Sequence, residues 1–194
     1  MESSPTLDLS NPDPLRVAGF LTTVFGALVA GVGATLTWVT VGIEAAAEVD
    51  SVTKGVDVWD GRVVLGCAVA MLVAVLVTRM AGSPMVRRSA AAAVIVAGIV
   101  CLVVGGAFLG MASSRFDPVD DERLASAIAD ATGVPIDQVT ATLGDVVDEL
   151  GAHTELGVGP YLAIVGGLAG AIGGVLVLTW TTRQEPEPDE GDDV

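Results

Sequence analysis

Four stretches of this chain contain no charged residue at all: Val17–Ile43, Val63–Thr78, Ser89–Ser114 and Leu156–Thr182. A bilayer core about 30 Å thick is crossed by about 20 helical residues. A helix on the surface of a soluble domain interrupts such runs with polar residues every three to four positions, because one face meets water. The uninterrupted runs therefore predict an all-α membrane protein, a four-transmembrane-helix bundle. Between spans three and four lies a small acidic insertion, expected to be helical and extracytoplasmic.

The boundaries follow from where charge returns. A disordered cytoplasmic tail is expected over 1–15, and spans over 16–40, 61–80, 89–112 and 157–181. The first span starts near Arg16 and leaves the membrane near Trp38 to Val41. An outer loop occupies 41–60 and a short cytoplasmic turn 81–88. An extracytoplasmic helical pair occupies 113–156, and a disordered acidic cytoplasmic tail 182–194. The acidic start and the long first apolar run do not fit a cleaved secretory leader.

Orientation is read from the arginines. The turn between spans two and three carries Arg87 and Arg88 and no acid, with Arg79 at its edge, and short basic loops stay cytoplasmic. Arg16 and Arg183 flank the first and fourth spans on the same side. Both termini are then cytoplasmic in a multi-pass protein of the cell membrane. The chain as a whole is strongly negative, 24 acids against 9 bases. That excess argues against nucleic acid as a partner and fits a surface that must stay hydrated, as in a halophile.

Small residues mark where helices can pack closely. Gly166, Gly170 and Gly174 recur every four residues in span four, and Gly106 and Gly110 form a GxxxG pair in span three. Spacing of this kind lets two backbones approach. Gly26, Ala30 and Ala34 repeat the pattern in span one. Trp38, Trp59, Tyr161 and Trp180 lie near span ends, where an apolar ring with a polar tip anchors at the interface.

In the outer loop, Ser51–Trp59 alternates around Lys54-Gly55 and fits a small hairpin, and Asp60-Gly61 reads as the turn before span two. In the insertion, Asp120, Asp121 and Glu122 open a first helix and Gly133 closes it. A second helix opens at Pro135 or Asp137 and carries Ile136, Val139, Leu143, Val146 and Leu150 at heptad spacing. This stripe is a candidate partner-binding face.

The segment Leu124–Leu150 superficially resembles the helical half of HU-type histone-like proteins around Ala127–Gly133. It has no counterpart of their basic arm, and its charge is wrong for DNA. A second resemblance rests on Leu36-Thr-Trp-Val-Thr40 and Gly55-Val-Asp-Val-Trp-Asp-Gly-Arg-Val-Val-Leu65. These runs look like a group of uncharacterised four-span membrane proteins of haloarchaea and high-GC actinobacteria. That likeness covers about the first 80 residues. It implies a prokaryotic membrane protein and brings no activity with it.

The four uncharged stretches lack Asp, Glu, Lys, Arg and His, the groups that coupled transport retains inside a membrane. His153, the single histidine, has no nucleophilic partner beside it, so no catalytic triad is expected. Asp117, Asp120, Asp121 and Glu122, and the pair Asp57 and Asp60, match no EF-hand loop. Cys67 and Cys101 fall in spans at no metal-ligand spacing. No cofactor, metal or catalytic residue is expected, and the chain is read as non-enzymatic. Its expected role is an accessory or interaction subunit, held in the lipid bilayer with another membrane protein or with itself as a homo-oligomer. The alternative is a small channel-like oligomer packed through the glycine ridge of span four. What that ridge faces separates the two.

Overall fold

In a computed structural model the described residues are 13–43, 51–115, 122–142 and 152–183. The first helix, α1, spans Pro14–Thr35. Asp13 caps it, its Oδ1 accepting from Leu15 N at 2.9 Å, and Pro14 occupies the first turn, where a missing N–H costs nothing. Helices α2 (Trp59–Met80) and α3 (Pro84–Arg115) follow, joined by a turn of a few residues. A shorter helix, α4, covers Glu122–Thr132, residues 136–142 are helical (α5), and the last helix, α6, covers Gly159–Arg183. Four of these helices are long and apolar enough to cross a membrane: α1, α2, Pro84–Ala112 of α3, and α6.

The four long helices form a ring in which α1 packs on α2 and α6, and α3 packs on α2 and α6. The bundle is the reverse of a soluble one. Its interior is built from small residues, among them Ala27, Ala30, Ala34, Ala68 and Ala163, all at most 3% exposed. Its large apolar side chains point outward: Leu21, Phe25 and Leu28 on α1, Val69 and Val73 on α2, Val103 on α3, and Leu168 and Ile172 on α6. Water would make that arrangement costly, whereas lipid tails accept large side chains as readily as a core does.

At one end of the bundle the chain forms a three-stranded antiparallel sheet, where the sequence predicts only a small hairpin at Ser51–Trp59. Strand β1 (Thr37–Ile43) is central, flanked by β2 (Ser51–Lys54) and β3 (Ala152–Leu156). Val39 pairs with Thr53 and Leu156, Thr40 with Val52 and Glu155, and Val41 with Ser51 and Thr154. The first span was expected to run to residue 40, but α1 stops at Thr35. The apolar run is longer than a bilayer requires, and its surplus, Thr37-Trp-Val-Thr-Val41, is β-branched and aromatic, which favours a strand.

The loop reading also differs. β2 does not fold back on residues 56–59; it pairs with β1 and leads into a 3₁₀ turn at Gly55–Asp57. Asp60 and Gly61 lie in the first turn of α2, not before it. Gly61 is required there because a Cβ would strike the Gly55 backbone.

The sequence-predicted closure of the first insertion helix is observed. Gly133 adopts φ 70°, a left-handed conformation natural to glycine, and its N–H bonds Ala129 O at 2.8 Å. Pro135 O then accepts from Gln138 and Val139 to start α5. Ala125 and Val139 are buried in the continuous core of the protein, and Ile128 and Ala129 pack against it.

Candidate functional site

The interior of the bundle is a seam of glycines between α1 and α6. Gly19, Gly26 and Gly33 recur every seven residues on α1, and Gly159, Gly166 and Gly173 do so on α6. A Cβ on Gly33 would lie 2.8 Å from Gly159 O, and one on Gly166 would lie 2.6 Å from Gly26 O. A Cβ on Gly173 would meet the Thr23 backbone N at 2.6 Å. Thr23, fully buried, turns its hydroxyl onto Gly19 O at 2.8 Å, so this polar side chain is satisfied within its own helix.

The ridge expected at Gly166, Gly170 and Gly174 divides among three neighbours. Gly166 meets α1, Gly170 meets the Met71 sulfur of α2, and Gly174 meets Val94 and Ile95 of α3. Gly98 of α3 and Gly167 of α6 approach each other in the same way, the Cβ of either falling within 2.7 Å of the other's carbonyl oxygen. A Cβ on Gly106 or Gly110 would meet nothing within 4 Å among the described residues. The seven-residue repeat on α1 and α6, present in the sequence, is the signal that a search for four-residue spacing passes over.

At the sheet end the seam is closed by Trp38, which is fully buried in β1. Its Nε1 donates to Gly33 O at 2.9 Å, satisfying a carbonyl of the last turn of α1. Its ring meets Phe108 of α3 edge-on, centroids 4.6 Å apart at 74°. Gly159 and Gly55 are bare beneath it, since a Cβ on either would strike the indole. Backbone bonds fix both loops around it: Gly55 N donates to Leu36 O at 3.0 Å and Gly157 N to Trp38 O at 2.9 Å. Trp38 thus joins α1, α3, α6 and the turn before α2. Of the other aromatic residues read as anchors, Trp59 is 75% exposed, Tyr161 is exposed, and Trp180 is buried at the opposite end.

That opposite end, where α1 begins and α2 and α6 finish, holds a cleft of about 370 Å³. Arg16, Thr78 and Arg79 form its polar rim, Phe20 and Trp180 its aromatic floor, and Val17, Leu21, Val75 and Val177 its apolar wall. The guanidinium carbon of Arg16 lies 5.0 Å from the Trp180 ring centroid, and that of Arg79 lies 4.3 Å from the Phe20 centroid. Arg87 reaches the same indole at 6.0 Å and is steadied by donating Nε to Ala81 O at 2.8 Å. Each ring face attracts a cation through its quadrupole. The arginines entered the sequence reading through orientation alone; Arg16 and Phe20, one helical turn apart, are the local signal for a cleft.

The matching sequence model is that of the tryptophan-associated transmembrane proteins, over residues 20–189. The chain belongs to that family. No curated protein matches it. Membership and the four long apolar helices together make this tryptophan-associated family member an integral, multi-pass protein of a lipid bilayer.

Ile136 is exposed and Val139 buried; Leu143, Val146 and Leu150 lie outside the described residues, as does Asp117, Asp120 and Asp121. His153 stands in β3 opposite Gly42. Cys67 and Cys101 are free thiols, and Cys101 Sγ donates to Val64 O of α2 at 3.9 Å. Among the described residues, no three His, Cys, Asp or Glu side chains gather as a metal site would require.

Proposed function

We propose that this family member is a non-enzymatic accessory subunit, which uses its sheet end to engage another membrane protein. The observation that carries the reading is the direction of the glycine ridge. Gly166, Gly170 and Gly174 are consumed by α1, α2 and α3 of the same chain, so the ridge of α6 is not available for building a ring of subunits. Trp38 plugs the bundle at one end, and the seam along it has no room for a file of water or ions.

What the sheet end offers is surface. Val52, Trp59, Val134, Ile136, Leu156 and Val158 are exposed there. The arginine end meets the cytoplasm in this reading, so both termini are cytoplasmic and the sheet and α4–α5 lie outside, in the cell membrane. The family's description as tryptophan-associated directs the partner search to proteins that handle tryptophan. The acidic balance and single lysine fit a salt-adapted prokaryote, as the sequence resemblance to haloarchaeal and actinobacterial proteins implies.

The test is the mass of the gently solubilised native complex, with its proteins identified. A second protein in fixed ratio is the expected result. A homo-oligomer alone that conducts ions in a planar bilayer would overturn the reading in favour of a channel.

A further inference from the structure

We propose that the cleft between α1, α2 and α6 binds the phosphate headgroup of an anionic phospholipid from the leaflet at the arginine end. Arg16 and Arg79 rim a single cavity, and Arg87 shares the Trp180 ring with Arg16. Like charges converging on one cavity repel unless an anion lies between them. Among the described residues no carboxylate lines the cleft. Cation–π contacts hold the guanidinium planes against Trp180 and Phe20 but leave their N–H edges free to fork onto phosphate oxygens, the geometry arginine suits best.

The chemistry of the walls selects a lipid over a free ion. Below the rim, Val17 and Leu21 of α1 are exposed toward the bilayer, and Val75 and Val177 line the cavity beside them. An acyl chain fits such a wall, and neither inorganic phosphate nor the acidic segment 184–194 gains anything from it. The position also suits a headgroup, since the rim residues lie in the first turn of α1 and the last turn of α2, where a spanning helix meets the interface. The assignment depends on the chain spanning a bilayer and is independent of the accessory role.

The experiment uses the full chain in nanodiscs of phosphatidylcholine containing a minor fraction of phosphatidylglycerol. Lipid retained after extraction is read by native mass spectrometry for wild type and for the double variant Arg16→Gln/Arg79→Gln. Wild type should retain phosphatidylglycerol at least about tenfold over its share of the disc. The double variant should lose that preference while keeping its thermal midpoint in pure phosphatidylcholine. Arg16→Lys/Arg79→Lys, which keeps the charge but not the fork, should recover it in part. Equal retention by wild type and the glutamine variant overturns the proposal. So does stabilisation of wild type by millimolar inorganic phosphate to the same extent as by phosphatidylglycerol. A preference that appears only after residues 184–194 are removed would make the tail the occupant and overturn it as well.

Discussion

A glycine inside a helix costs about 1 kcal/mol relative to alanine, so a helix that carries many needs something in return. Here the return is distance, and it differs from glycine to glycine. At Gly166 a side chain would enter the backbone of α1, which cannot move without separating the two helices. At Gly170 it would meet the flexible Met71 thioether, which can rotate away. At Gly106 it would meet open space on the bilayer side. We therefore expect thermal unfolding in detergent to rank three leucine variants. Gly166→Leu should lose 3 kcal/mol or more, roughly the upper end of overpacking costs, or fail to assemble. Gly170→Leu should be intermediate, and Gly106→Leu should match or exceed wild type, because leucine is the better helix former. Equal losses at 166 and 106 would refute the distinction. In the sequence the two GxxxG motifs are indistinguishable; what separates them is the helix standing opposite, which is long-range information. Trp38 was legible in the same partial way. Its position near the end of a span was plain, but an anchor at the interface and a plug inside the bundle look alike until Gly55 and Gly159, distant in sequence, are seen to be bare beneath it.

At the scale of elements, charge and hydropathy located all four long helices, because a bilayer imposes their length and composition directly. The sheet was hidden for the opposite reason. β1 continues an apolar run from α1 without a charge or a breaker, and its partners come from segments far apart in sequence. β3 itself, Ala-His-Thr-Glu-Leu, has little alternation to announce it. Pairing rather than propensity makes these strands, as β-preferences depend on neighbours. It follows that β1 should be the element on which the sheet end depends. Thr40→Pro removes a ladder N–H from the central strand and should cost about 3 kcal/mol. Amide exchange of residues 152–156 should accelerate along with it, although the substitution lies more than a hundred positions away. Unchanged protection of β3 in the variant would show that the strand is held by α6 rather than by β1.

For the whole molecule, the distribution of arginines and acids is the largest-scale feature the sequence contains, and it concerns orientation rather than fold. Arg16, Arg79, Arg87 and Arg183 gather where α1 starts, α2 ends, α3 starts and α6 ends, so the structure brings the separate basic flanks to one end of the bundle. The sheet, α4 and α5 all belong to the other. A basic end is retained in the cytoplasm during insertion, and an even number of spans then returns the chain to the side on which it began. This makes a definite prediction for intact cells. A cysteine introduced by Asp130→Cys, at an exposed position of α4, should be labelled by a membrane-impermeant thiol reagent. One introduced by Pro188→Cys in the tail should be labelled after lysis alone. Wild type sets the background, since Cys101 is buried and both native thiols sit on spanning helices. Labelling of 188 and not of 130 in intact cells would invert the protein. It would place the arginine cleft in the outer leaflet, and the partner that meets the sheet would then have to be sought in the cytoplasm.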